Sequence, residues 1–188
     1  MAKPRSESKR NDLLAAATRV IVVQGLSAST ATIAKAAGVA TGSLFTYFET
    51  KAQLFNELYL DLKADMATAA IQDVEPNADL HTELLQAWTN WMAWAVANPG
   101  KRRALAQLGV SEEITATTRT AAHETMAGLA RLMERARADG PMKAAPMELA
   151  AAIMNSLAET TMDFMVQDPI DADEHCHVGF NALWRVLT

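Results

Sequence analysis

Apolar residues recur along most of this chain at spacings of three and four, and alternation with a period of two is absent. The first periodic segment predicts a helix from about Ser8 to Gln24, with Leu13, Leu14, Ala17, Val20, Ile21 and Gln24 on one face and Gly25 closing it. The polar patch Ser27-Ala28-Ser29-Thr30 supplies an N-cap for a short helix over 30–37, which Gly38 breaks. A third helix follows over Thr41 to about Phe48. Thr50 caps a long fourth helix that runs to about Asp73, with Leu54, Leu58, Leu62 and Met66 at i, i+4 positions.

Pro76-Asn77 marks a boundary. Beyond it the pattern predicts helices at about 78–97 (ended by Asn98-Pro99-Gly100), 101–108, 111–138 (closed by Asp139-Gly140-Pro141), 146–167 and 172–187. Pro146 is placed in the first turn of its helix, where proline is tolerated. β-branched residues cluster only at Val20–Val23, and good helix formers dominate elsewhere. The expected fold class is all-α with about nine helices.

Charge adds an asymmetry. Residues 1–51 carry seven Lys/Arg against three Asp/Glu, whereas the remainder carries ten against nineteen, for a net charge of −5. An acidic body with a basic head suits a polyanion at the head and repels it elsewhere. The 188 residues, half of them apolar, can bury a core without disulfides or metal staples. The single cysteine, Cys176, fits a reducing compartment. No apolar run approaches the ~18 residues of a membrane span, and the opening MAKPRSESKRND has no signal-peptide apolar stretch, so the expected location is cytoplasmic.

The most informative stretch is Ile33 to Phe48. Small Ala34 and Ala37 let two helices approach, Gly38 permits a left-handed turn, and Val39 fills the angle between the helices. Leu44 and Phe48 anchor the second helix, leaving Thr41, Gly42, Ser43, Thr46 and Tyr47 facing outward. That face is short, polar and free of carboxylates. It can enter a major groove and offer hydroxyls and a ring to base edges and phosphates.

On these residues the chain resembles the TetR (tetracycline-repressor-like) family of bacterial transcription regulators. The resemblance spans about Asp12 to Leu62 and includes Gln24-Gly25-Leu26, Ile33-Ala34, Ala37-Gly38-Val39, Gly42 to Phe48, and Lys51 with Leu54. Phe45 departs from the Tyr more common there, and Thr30 from an apolar residue. The resemblance implies a helix-turn-helix DNA-binding domain over 1–50 and a helical ligand-binding and dimerisation domain over 51–188. It implies a homodimer released from operator DNA by a small molecule. Position by position, it places Thr41, Gly42, Thr46 and Tyr47 at the groove and Ser43 on sugar–phosphate or base edges. Lys51 would meet a phosphate at a helix start. Ser29 would cap the second helix and touch phosphate, and Lys3, Arg5, Lys9 and Arg10 would form a basic arm.

The 78–97 segment carries Leu84, Leu85, Trp88, Trp91, Met92 and Trp94 over a wide arc, which makes it central to its domain. Trp88, Trp91, Met92, Met126 and Met162 are the candidate lining of a pocket for an apolar or aromatic effector, with plain core packing as the alternative for each. Polar residues able to orient a ligand are His81, Asn90, His123, Asn155 and Glu159, each also readable as a surface or capping group. The apolar faces of the last two helices, with Ile153, Leu157, Ala158, Phe180 and Leu183, are the candidate dimer interface.

His175 and His177 project ~200° apart on a helix and cannot chelate one ion, so no metal is expected. No Gly-rich phosphate loop, nucleophile elbow or metal-ligand spacing supports an enzyme, and no cofactor is expected. The competing reading is a helical small-molecule-binding protein or enzyme without DNA binding.

Overall fold

The computed structural model describes residues 3–75 and 78–188, with side chains from Glu7 onward, so the expected boundary at Pro76-Asn77 lies outside it. Among these residues there are ten helices and no strand: α1 Lys3–Gln24, α2 Thr30–Ala36, α3 Thr41–Leu44, α4 Lys51–Ile71, α5 Leu80–Ala97, α6 Pro99–Gly109, α7 Ala116–Thr125, α8 Ala127–Arg137, α9 Met147–Gln167 and α10 Ala172–Leu187. The all-α expectation holds, and the tenth helix comes from a break. The segment over 111–138 is two helices, interrupted at Met126 with φ −86° and ψ 5°. Residues 110–115 precede α7 as a turn, because the Thr115 hydroxyl accepts the Thr118 N–H and starts the helix there.

Other bounds move. α1 begins at Lys3 rather than near Ser8. α3 stops at Leu44, and Phe45–Tyr47 continue as tight turns, a run of aromatic and β-branched side chains with weak helix propensity. Pro146 is the N-cap of α9 rather than a first-turn residue.

Packing divides the chain into two compact units. One runs to Ala64 and includes Pro99–Glu124; the other comprises Asp65–Asn98 and Thr125–Thr188. This differs from the expected division at residue 50, because α6 packs on α1 and the segment Pro99–Glu124 belongs to the first unit. In the first unit α1 lies on α2 and α6, and α2 on α3. Its interior holds Leu13, Ile21, Ile33, Leu44, Phe48, Leu54, Phe55 and Leu58, all essentially without solvent exposure. An isolated helix as short as α3 is unstable in water. Burying Leu44 and Phe48, each worth ~1.5–3 kcal/mol, is what holds it.

In the second unit α9 packs along α10, and α5 lies against α8, α9 and α10. The approach of α9 and α10 depends on Gly179: a Cβ there would come within 2.1 Å of the Thr161 hydroxyl. Trp88, Met92, Ala158, Met162, Phe180 and Leu183 fill the interior.

Candidate nucleic-acid interface

The turn between α2 and α3 is a Schellman motif. Gly38 takes φ +71°, its N–H donates to Lys35 O (3.1 Å), and the Val39 N–H reaches back to Ala34 O (3.0 Å). The Ala34 and Lys35 carbonyls at the end of α2 are thereby met, Arg19 donates to Ala36 O (3.3 Å), and Val39 is half-buried at the bend. At the other end of α2 the Ser29 hydroxyl accepts the Thr32 N–H at 3.1 Å, the expected cap.

Above the buried pair Leu44 and Phe48, the side chains of Thr41, Ser43 and Thr46 are exposed together with Gly42, and Tyr47 is half-exposed. Phe45 is also exposed. No side chain caps the start of α3. The outward surface therefore offers hydroxyls, a phenol, uncapped N–H groups and an apolar ring, with no carboxylate within α3.

The cations expected at this face divide. Lys9 is exposed. Arg10 is tied inward: its guanidinium meets the Glu57 carboxylate at 2.6 Å and lies 5.8 Å over the Phe48 ring. Arg10 thus fastens α1 to α4, and a free arm at this position is not what the geometry provides. The Lys51 ammonium donates to Leu26 O (2.6 Å) and sits 5.0 Å above the Phe55 ring, half-buried at the start of α4. The side chains of Lys3 and Arg5 lie outside the described residues. Thr50 caps α4 by accepting the Gln53 N–H (3.0 Å), and Gln53 Oε1 accepts the Glu49 N–H (2.7 Å).

In the second unit the expected pocket residues separate by environment. Trp88, Trp91, Met92 and Met162 are buried, and Met126 is half-buried in the break between α7 and α8. Trp88 Nε1 donates to the Cys176 carbonyl, and its ring meets Trp91 edge-on at 6.1 Å. A cleft of about 410 Å³ opens instead beside Trp94, with Ala69, Gln72, Asp73, Gln86 and Asn90 along it; none of the five expected residues lines it. Trp94 Nε1 donates to Asp65 at 2.9 Å, while the Gln86 and Asn90 amides cap carbonyls at the end of α4. Sequence reasoning missed Trp94 as a lining residue, since all three tryptophans of α5 share one apolar arc.

Of the other polar candidates, His81 packs edge-on against Phe180 and Trp184, and His123, Asn155 and Glu159 are exposed. Glu83 is buried and paired with Arg135, so its charge is already answered. Burial pushes the Cys176 thiol above its usual range. Among the described residues no cluster of three His, Cys, Asp or Glu could hold a metal, and no helix is long and apolar enough to cross a membrane.

The candidate dimer residues also separate. Ala158, Phe180 and Leu183 have 0–1% exposure and belong to the protomer interior, a correction to their expected place at an interface. Ile153 and Leu157 are half-exposed. They fall on a helical stripe of α9 with Leu149 (50% exposed) and Phe164 (53%); Val178 (61%) stands out on α10. The wide arcs in the sequence combined this outer stripe with the inner one.

Residues 13–58 match the family described as bacterial regulatory proteins, tetR family. A tetR family transcription regulator of known structure from Shewanella sp. PV-4 is 30% identical, with 94% of this chain and 96% of that one covered and a TM-score of 0.84. A TetR family transcription regulator from Marinobacter aquaeolei VT8 shares the fold at 24% identity, with 97% of each chain covered and a TM-score of 0.86. The HTH-type transcriptional regulator YhgD of Bacillus subtilis (strain 168) is 31% identical over 83 residues, which is 44% of either chain.

Proposed function

The chain belongs to the tetR family of bacterial transcription regulators, and from that premise we propose that it is a repressor that binds operator DNA as a homodimer and is released by a small apolar or aromatic molecule. The observation that carries this reading is the hydroxyl face of Thr41, Ser43 and Thr46 held above buried Leu44 and Phe48. Thr41, Gly42, Thr46 and Tyr47 face the major groove, and Ser29, Ser43 and Lys51 meet the backbone. Exposed Lys9 adds general attraction. Arg10 contributes through α1 rather than by direct contact.

A second copy covers the outer stripe of α9 and α10, since Leu149, Ile153, Leu157, Phe164 and Val178 form an apolar surface of the kind soluble monomers avoid. The effector binds the second unit along α5, in the cleft where Trp94 forms part of the wall. A ligand that prefers one arrangement of the reading heads weakens operator binding by that preference.

The test is selection of binding sites from random duplex DNA with the full chain, followed by gel shifts. An enriched two-fold symmetric site, bound with salt-dependent affinity, supports the reading. Failure to enrich any sequence overturns it and favours a helical small-molecule-binding protein.

A further inference from the structure

Between α6 and α7 the backbone of residues 110–115 is held by side chains from two other places in the first unit. Asn56, on α4, donates through Nδ2 to the Glu113 carbonyl (2.7 Å) and accepts the Thr115 N–H at Oδ1 (3.0 Å). The same Nδ2 donates to Ala52 O one turn back (2.7 Å). Reversing the amide would face two donors toward each other at Thr115, so only this orientation satisfies all three bonds. Arg119, on α7, donates to Gly109 O (2.8 Å) and Ser111 O (2.9 Å).

Asn56 lies beside two other ties. Within seven residues of α4, Lys51 reaches Leu26 before α2, Asn56 reaches the α6–α7 link, and Glu57 reaches Arg10 on α1. The segment Pro99–Glu124 is bounded by helix breaks, at Asn98 before Pro99 and at Met126. Helical continuity at its ends therefore does not fix its place against α4. Side-chain bonds and packing must do so, and the Asn56 fork is specific for register: a slip of one residue loses both link bonds.

We propose that Asn56 is a positioning residue for operator recognition, clasping the α6–α7 link to α4 so that the reading helices and Pro99–Glu124 move as one body. The proposal rests on the two-headed repressor reading for its DNA consequence and on the geometry alone for its mechanical one. The body that changes place during regulation is then the whole first unit, rather than the first fifty residues.

The test uses the full chain with Asn56→Ala, and with Asn56→Asp, which keeps the acceptor for Thr115, loses the donor to Glu113 and Ala52 and sets a carboxylate oxygen against both carbonyls. The first readout is amide hydrogen exchange. In the parent, amides of α7 and of the first half of α4 are expected to open together; in Asn56→Ala the Thr115 and α7 amides should exchange about tenfold faster while those of α4 keep their protection. Unchanged α7 exchange in both variants overturns the proposal.

The second readout is half-site spacing on the selected operator. One inserted base pair turns the second half-site by about 34°. It should cost the parent about tenfold in affinity and Asn56→Ala about threefold or less. A lower melting temperature with an unmoved spacing ratio would mean a purely structural role and would also overturn the proposal. If no operator is selected, or the parent ignores spacing, the repressor reading fails while the exchange result still decides the clasp.

Discussion

The indole Nε1 of Trp88 donates to the backbone carbonyl of Cys176 at 3.1 Å, a buried bond that ties α5 to α10. With 2% of its surface exposed, Trp88 serves the interior of the second unit. Trp88→Ala is expected to cost ~3–5 kcal/mol through the cavity left behind. Thermal melting without any ligand reads this directly. A near-normal melt would restore Trp88 to the pocket.

Charge on the outer stripe should separate copies without unfolding them. Phe164→Glu or Val178→Glu is expected to give monomers in sedimentation at micromolar concentration, with melting of the protomer fold retained. Ala158→Glu, at 0% exposure, puts an unpaired carboxylate into the interior and should unfold the second unit instead. Equal loss of fold in all three variants would place the stripe in the protomer.

At the reading face, Thr46→Ala and Tyr47→Ala should change the preference among operator variants. Lys51→Met keeps the stem over Phe55 and removes the ammonium from Leu26 O. It is expected to weaken binding alike on all sequences and to lower the salt slope by about one unit. Gel shifts across a salt series distinguish these behaviours, and identical profiles for all three variants would overturn the assignment of roles.

The start of α5 carries a pH-dependent contribution. The Thr82 hydroxyl and N–H donate to the Asp79 carboxylate, and these bonds hold its carboxyl below the usual range. A lowered folded value means stability that is present above the ordinary carboxylate range and lost as pH falls through the folded value. Asp79→Asn keeps a cap acceptor that does not ionise. Its melting temperature should fall less steeply than the parent's between about pH 5 and about pH 2; parallel curves would refute this.

Local chemistry was legible in the sequence where it acts over a few residues. The i, i+4 pair Leu44 and Phe48, the turn at Gly38, the Ser29 and Thr50 caps and the span of α10 all follow from neighbours along the chain. Long-range pairing was not legible. Arg10 finds Glu57 and Asn56 finds Thr115, 47 and 59 residues apart, and nothing local marks either pair. The break at Met126 carries no proline, only Thr125 and Gly128 beside it lower helix propensity, and it falls next to the point where the chain passes from one unit to the other. Periodicity likewise cannot tell an arc facing its own interior from one facing a second copy, which is why half-exposed Leu157 and buried Ala158 share one predicted face.

The first unit is discontinuous, and this bears on swapping specificities between regulators. A chimera joined near residue 50 would transplant α1 without α6, leaving bare the side of α1 on which α6 packs. With this chain as the recipient, it would also leave Glu57 facing a foreign α1 in place of Arg10. A graft that respects the packing carries residues 1–64 together with 99–124, two stretches of gene for one module. Its α4 seam, between Ala64 and Asp65, falls inside an unbroken helix, where donor and recipient must agree in helical phase.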